Sequence, residues 1–272
     1  MLKKLILLSS LFFIAGPAFG QSGNIFTDPD FGREEFDLIS EDLSAAFVHT
    51  TNSGGSSLGS VWGVEAGIVA GLLEADNLQK VAESISGEDQ DELAYLPYAG
   101  IVAGLSLPFG IGGEVSMVPE VDLDDGSFSN FSASLRWSIT DMIPLVGSFS
   151  PLKITTHLSH GTTAMDYAFS LSGSSTENAD FSIKNTEIGV TAGFNLFILE
   201  PYLGFSTVKT KSTLIATTDF PGVTNPDEFN ASFSGARMKA GLLLKLPLLR
   251  FGLEASTLHS STRYTFKMSL KI

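Results

Sequence analysis

The final ten residues, Arg263–Ile272 (RYTFKMSLKI), alternate strictly between polar and apolar side chains. The apolar positions are Tyr264, Phe266, Met268, Leu270 and Ile272. A period of two predicts a β-strand whose two faces meet different environments. Because this strand runs to the last residue, we expect a barrel that closes on its final strand.

The same alternation recurs about ten times between Val61 and Ile272, and the face opposite the apolar one is rich in Gly, Ser and charged residues. The strands that it predicts lie near 60–72, 97–107, 109–121, 129–140, 151–171, 181–196, 200–215, 231–246, 248–258 and 262–272. Short connections alternate with longer ones, as in an up-and-down barrel. We therefore expect an all-β chain that forms a transmembrane antiparallel barrel of about 10 strands.

One segment breaks the pattern, because Leu152 and Ile154 are apolar at even positions whereas Met165 and Tyr167 are apolar at odd ones. A β-bulge near Gly161 would correct the register. The alternative is two additional strands, which would give a barrel of 12.

A soluble β-sandwich or a lipocalin-like barrel also alternates, but it turns its apolar face inward. Gly and Ser on the second face fit a narrow lumen better than an exposed strand. The segments also have the roughly 9 to 11 residues that a tilted strand needs to cross a bilayer. Aromatic residues near one set of strand ends resemble an interfacial girdle. They are Trp62, Phe109, Trp137, Phe194 and Phe251.

The pattern over residues 61–272 resembles the bacterial outer-membrane β-barrel class, in which an amphipathic C-terminal strand is the assembly signal. Tyr264, Phe266, Met268 and Leu270 match that signal, and Ile272 stands where the class usually has Phe. The resemblance implies a Gram-negative outer membrane, contact with its lipids, and recognition of the last strand by the assembly machinery.

The first residues predict export. Lys3 and Lys4 precede the apolar run Leu5–Ala15 and the small-residue site Ala18-Phe19-Gly20. This is the order of a cleavable signal peptide over residues 1–20, with a mature start at Gln21. The chain has no Cys, so we expect neither a lipid-anchored N-terminus nor disulfides nor thiolate metal sites.

Residues 21–56 do not alternate and form an N-terminal leader before a barrel domain over residues 57–272. Phe36, Ile39, Leu43 and Phe47 have the spacing of a short helix. The leader has three interpretations, which are a periplasmic segment, a plug that enters the lumen, and a partly disordered stretch.

The net charge of −14 argues against nucleic acid as a partner, because phosphate contacts need a basic surface. Most basic residues fall on the inward faces, where they oppose acidic ones. The predicted lumen charge network comprises Glu65, Glu114, Arg136, Lys153, Glu187, Arg237, Lys239, Arg250, Glu254, Arg263 and Lys267. It is either an anion-attracting constriction or a set of ion pairs that fills a narrow lumen. Closure of the barrel predicts that Glu65 lies near Arg263 or Lys267.

One stretch suggests catalysis. The sequence Thr156–Gly161 (THLSHG) resembles the His-x-Ser stretch of outer-membrane lipid hydrolases, which would make Ser159 the nucleophile and His157 its base. The Asn that usually follows the Ser is His160 here, and the shared face continues through Lys153 into the predicted lumen. We therefore favour a barrel that is not an enzyme, and we expect no metal and no cofactor.

The sequence thus predicts an outer-membrane, porin-like barrel that serves as a small pore or transport protein for small solutes. The alternative is a structural or surface-interaction barrel with a filled lumen. A lipid hydrolase that uses His157 and Ser159 is the third possibility.

Overall fold

The computed structural model describes residues 32–50, 52–59, 62–86, 94–123, 126–142, 150–171, 175–218 and 227–272. The predicted signal peptide over residues 1–20 and the predicted mature start at Gln21 lie outside these residues. Within the described part, no helix has both the length and the hydropathy needed to cross a membrane.

Ten antiparallel strands form a closed barrel in which neighbours in sequence pair and β10 returns to β1. The strands are β1 (Gly63–Glu74), β2 (Tyr95–Ser106), β3 (Ile111–Leu123), β4 (Gly126–Ser138), β5 (Leu152–Leu171), β6 (Ser175–Phe194), β7 (Leu199–Thr218), β8 (Asp227–Lys245), β9 (Leu249–Leu258) and β10 (Ser261–Lys271). At the closure, Val64 and Ile272 exchange two main-chain hydrogen bonds of 2.9 Å. The predicted up-and-down barrel is confirmed, with ten strands and not twelve.

The two ends of the barrel differ. One end, the short-turn end, carries the tight turns after β2, β6 and β8 together with residues 62 and 272. Strands β5 to β8 reach far toward the opposite end, the long-strand end. Because such barrels keep short turns on the periplasmic side, we orient the long-strand end toward the outside of the cell.

The outward face is apolar around the barrel. Leu135 is 61% exposed, Ile188 65% and Leu203 66%, and Trp62 and Phe109 are exposed at the short-turn end. So continuous an apolar surface is unfavourable in water, whereas it is favourable in contact with lipid hydrocarbon. The stripes of apolar side chains therefore face the membrane, as the alternation predicts.

The predicted bulge near Gly161 was wrong. Strands β5 and β6 pair without interruption from Leu152 opposite Phe194 to Leu171 opposite Ser175. A register shift occurs instead between Val118 and Val121, where β3 pairs with β4.

The inward and outward positions alternate without interruption along these strands. What changes along the strand is the environment that each face meets. On β6, Ile188 faces outward near the middle of the strand, whereas Phe181 and Ile183 face inward and are buried. Beyond the bilayer the outward face meets water and turns polar, while the inward face packs on a helix and turns apolar. This inversion also explains why the sequence placed the starts of β4, β6 and β8 several residues too late.

In the part of the chain that the structure describes, three helices accompany the strands, namely α1 (Arg33–Phe47), α2 (Asp76–Ser86) and α3 (Ile139–Met142), and a 3₁₀ turn spans Pro108–Gly110. Helix α1 lies inside the barrel, where it contacts β1, β6, β8 and β10. Its Phe36 ring meets Phe181 edge to face with centroids 5.8 Å apart. Helix α2 joins β1 to β2 and packs on α1.

A carboxylate links the two longer helices. The Asp42 Oδ2 atom on α1 accepts hydrogen bonds of 2.9 Å from the main-chain N–H groups of Asn77 and Leu78 in the first turn of α2. Its Oδ1 atom accepts a bond of 2.6 Å from the Ser261 hydroxyl on β10. The first turn of α2 is thus satisfied by a side chain from the helix inside the barrel.

We predict that Phe181→Ala and Ile188→Ala, both on β6, differ in their effect. Phe181 is buried against α1, so its truncation should lower the free energy of unfolding by about 3 to 4 kcal/mol. Ile188 faces lipid, so its truncation leaves no cavity and should cost only the transfer free energy of the lost carbons, about 2 kcal/mol. Urea unfolding followed by Trp fluorescence measures both, and the reverse order would contradict the assignment of inward and outward faces.

Candidate functional site: the plugged lumen

A segment of the chain occupies the lumen from end to end. We call residues 32–59 the plug, of which residue 51 is not described. Near its beginning, the Arg33 Nη2 atom donates a hydrogen bond of 3.0 Å to the Asn230 carbonyl at the long-strand end. Near its end, the Ser57 N–H donates a bond of 2.9 Å to Asp141 at the short-turn end. Of the three interpretations of the leader, the structure shows a plug for these residues.

The plug has an apolar half and a polar half. In helix α1, Phe36, Ile39 and Leu43 are buried in an apolar cluster that includes inward residues of β6, β7 and β8. After Phe47 the described chain is mostly extended, and residues 48–50 and 52–57 form hydrogen bonds with polar side chains of the wall. Those side chains lie on β3, β4, β5, β7, β8, β9 and β10.

Wall cations bind the main chain of the plug. Arg263 donates to the carbonyls of Ala46 and Val48 over 2.9 and 2.8 Å. Arg237 donates to the His49 carbonyl over 2.9 Å, and Arg136 donates to the Gly54 carbonyl. Among the described plug residues, no main-chain N–H outside α1 bonds to these carbonyls, so the wall supplies the hydrogen bonds that a buried chain requires.

Close contact between the main chains of the plug and the wall fixes the plug at Gly55. A Cβ atom added at Gly55 would lie 2.4 Å from the Lys153 carbonyl oxygen and 2.8 Å from the Gly193 nitrogen. The Gly55 carbonyl also accepts bonds from Ser138 (2.9 Å) and Thr155 (2.7 Å). Glycine is required here because main-chain atoms of the wall occupy the space of a side chain.

The structure places every residue of the predicted charge network inside the barrel. Arg136 and Lys239 are half-buried, and the others are buried. Arg237 lies at the centre, with its guanidinium 3.1 Å from Glu187 and 3.1 Å from Glu254. Two flanking pairs are Arg136 with Glu114 at 2.7 Å and Lys267 with Glu65 at 2.6 Å. Arg250 approaches Glu65 more loosely, at 3.5 Å.

All eight ion pairs of the described residues join residues of the wall or its turns, and no plug residue takes part in any of them. After α1, the described plug residues contact the wall through hydroxyl groups, amides, carbonyls and the His49 ring. Charge neutralisation in the lumen is therefore largely independent of the plug.

Two cations of the network have no carboxylate within ion-pair distance among the described residues. Arg263 binds plug carbonyls and lies over the Tyr98 ring, 5.7 Å from its centroid. Lys239 lines a cavity of about 20 Å³, which is room for about one water molecule. His49 and Arg237 line the same cavity. The lumen is thus filled, with an excess of positive charge on its wall.

The structure does not bring His157 and Ser159 together as a catalytic pair. The Ser159 hydroxyl donates a hydrogen bond of 3.3 Å to Glu187, and the His157 Nε2 atom lies 3.4 Å from the same carboxylate. Ser159 is 2% exposed under the plug. A lipid acyl chain would have no access to this hydroxyl.

Sequence reasoning missed several members of the site. Glu200 on β7 pairs with Lys245 at 2.9 Å and accepts two hydrogen bonds from Ser56 of the plug. Asp141 on α3 pairs with Lys153 at 2.7 Å. Burial alone would raise the pKa of Asp141, but the hydrogen bonds from Lys153 and Ser57 outweigh burial and lower it. Asp141 thus keeps its charge, and its hold on the plug, in mildly acidic solution.

We predict that Arg237→Gln destabilises the folded barrel by about 3 to 5 kcal/mol, because two buried carboxylates lose their cation. The triple variant Arg237→Gln, Glu187→Gln, Glu254→Gln should recover part of that loss, since it leaves neither carboxylate buried without its cation. Urea titration of the three proteins is the measurement. Equal stability of the single variant and the wild type would show that Arg237 does not neutralise Glu187 and Glu254.

Several solved structures resemble the chain in fold, and they are bacterial outer-membrane β-barrels. The attachment invasion locus protein Ail of Yersinia pestis is 11% identical, with 77% of this chain and 99% of that chain covered and a TM-score of 0.34. The translocator domain of autotransporter NalP from Neisseria meningitidis is 8% identical over 85% and 92% of the two chains, with a TM-score of 0.46. The outer-membrane protease OmpT from Escherichia coli is 9% identical over 81% and 98%, with a TM-score of 0.36.

At the level of sequence, no curated protein matches. A family model does match, and it spans residues 18–270. The chain therefore belongs to the family of unknown function DUF6588.

Proposed function

We propose that the protein is a gated outer-membrane pore for small, preferentially anionic solutes, and that the plug is its gate. The main support is that the ion pairs of the lumen join wall to wall. When the plug leaves, Arg237 keeps Glu187 and Glu254, and Lys267 keeps Glu65. Water then replaces the hydrogen bonds to the plug, so opening leaves no carboxylate of these pairs without its cation.

A permanent filler needs no such wall. Replacing buried ion pairs by packed apolar residues is often neutral or stabilising, so charges are a poor way to fill a lumen for stability alone. A polar, charged wall is typical of barrels that hold a water-filled channel. The long-strand half of the lumen shows that this chain also builds an apolar interior, with Phe36 and Phe181 in contact.

The expected selectivity follows from the unpaired cations. Arg263 and Lys239 would face water in the open lumen without a carboxylate within ion-pair distance. The extended plug, residues 48–58, contains no Lys, Arg, Asp or Glu, so its departure does not change this charge. Rings of Arg or Lys favour anions in pores, so an open barrel should prefer chloride to potassium.

The gate can be locked with a disulfide. Ser44 of α1 and Thr210 of β7 are buried with their hydroxyl oxygens 2.8 Å apart, and the chain has no Cys. In planar bilayers with mild urea, we expect brief openings of the wild type. The oxidised double variant Ser44→Cys, Thr210→Cys should show no openings, and reduction of its disulfide should restore them. The two single Cys variants are the controls, and openings that persist in the oxidised variant would refute the gate.

The gate can also be loosened. Gly55→Ala places a Cβ atom against wall backbone, so it should raise the open probability several-fold. Gly113→Ala is the matched control, because its added Cβ would meet only the Ser134 carbonyl at an ordinary 3.7 Å.

Deletion of residues 32–58 should give a steady conductance that prefers anions. The preference should fall when Lys239→Gln and Arg263→Gln are added to the deletion variant. The reversal potential in a KCl gradient measures this preference.

The alternative is a structural barrel with a permanently filled lumen, which the filled state itself favours. This alternative predicts that the variant without residues 32–58 folds but carries no current. Heat-dependent gel mobility checks that the variant is folded. Absence of current in the folded variant would contradict the proposed pore function.

A hydrolase is not proposed, because Ser159 is buried and bonded to Glu187. We expect Ser159→Ala to leave any lipid hydrolysis by the purified protein unchanged. Loss of a measurable wild-type activity in this variant would contradict the assignment.

A further inference from the structure

Three lysines stand apart from the other basic residues of the barrel. Lys184 on β6 and Lys209 and Lys211 on β7 face outward and are exposed, whereas their neighbours Asn185 and Thr210 face inward and are buried. We call the three the lysine cluster. Among the described residues, none of the three takes part in an ion pair, although acidic residues outnumber basic ones in the chain.

The pairing of the strands sets two of these charges against each other. Lys184 lies directly opposite Lys211 in the register of β6 and β7, and Lys209 lies opposite Thr186. The cross-strand neighbours on the outer sides are also uncharged, with Thr162 of β5 opposite Lys184 and Ser232 of β8 opposite Lys211. Like charges directly opposite each other destabilise a sheet, so this arrangement needs an external anion.

The height of the cluster indicates where that anion comes from. Lys184 lies four residues beyond Ile188, the last apolar outward residue of β6. Four residues of a strand tilted by about 40° rise about 10 Å along the membrane normal. Lys209 has the same spacing from the exposed Phe205 on β7. The headgroup layer that begins where the hydrocarbon ends is about 5 to 8 Å thick, so both main-chain positions lie just above it, within reach of a lysine side chain.

We propose that the lysine cluster binds the phosphate groups of an anionic lipid in the membrane leaflet at the long-strand end. Lysine side chains are long enough to reach several ångströms along the wall toward a headgroup. Two or more phosphates on one lipid would neutralise the opposed pair Lys184 and Lys211 together. The site lies outside the lumen, so it does not depend on whether the barrel conducts.

The test compares two double variants. The cluster variant is Lys184→Gln, Lys211→Gln, and the control is Lys80→Gln, Lys271→Gln. The control removes the same charge from α2 and from the short-turn end of β10. Each protein is refolded into phosphatidylcholine vesicles, into vesicles with lipid A added, and into phosphatidylcholine vesicles in inorganic phosphate. The measured quantity is the unfolding temperature, read from heat-dependent gel mobility.

In phosphatidylcholine alone, the cluster variant should be at least as heat-stable as the wild type, because a like-charge contact is gone. Lipid A should raise the unfolding temperature of the wild type and of the control by several degrees, and that of the cluster variant by much less. An equal rise in all three proteins would overturn the proposal. A rise of the wild type in inorganic phosphate as large as that with lipid A would also overturn it, since the site would then take a free anion and not a lipid.

Discussion

The structure depends on one constraint, which is that charges enclosed by a wall facing hydrocarbon must find their partners inside. A buried ion without a partner costs several kcal/mol, and a charged side chain of the lumen cannot turn outward into the lipid. Carboxylates on other strands meet part of this need, as Glu187 on β6 and Glu254 on β9 do for Arg237 on β8. Main-chain carbonyls of the plug meet the rest, most directly for Arg263. The wall therefore pairs its own carboxylates, and the plug supplies the remaining hydrogen-bond acceptors of the wall cations.

The two halves of the lumen solve different problems. At membrane depth the interior is polar, and the plug is extended and bound through hydrogen bonds. Toward the long-strand end the interior is apolar, and α1 is held by burial of side chains such as Phe36 and Leu43. Hydrogen bonds to the plug exchange with water at little net cost, whereas buried apolar area does not. Apolar burial thus holds the helix and hydrogen bonds hold the extended chain, and both must leave the lumen for it to open.

The barrel could be predicted from sequence because lipid imposes one requirement on every outward residue that it touches, which makes the alternation regular. The same rule misled where the membrane ends, and the apolar Met165 and Phe181 indicated a register shift that does not exist. The pairing of Glu65 with Lys267 follows from closure of β1 on β10. The partners of Arg136 and Arg263 could not be predicted, because they include carbonyl groups of the plug, and a carbonyl is the same in every residue.

The plug runs antiparallel to β1, which follows it, so its covalent tether lies at the short-turn end and its helix at the other. A plug that leaves toward the short-turn end exits beside its own connection to β1. Exit toward the long-strand end would instead draw the chain after Phe47 along the whole lumen, away from that connection and from the Ser138 and Thr155 hydroxyls that bind the Gly55 carbonyl. The covalent tether therefore gives release of the plug a direction, toward the short-turn end.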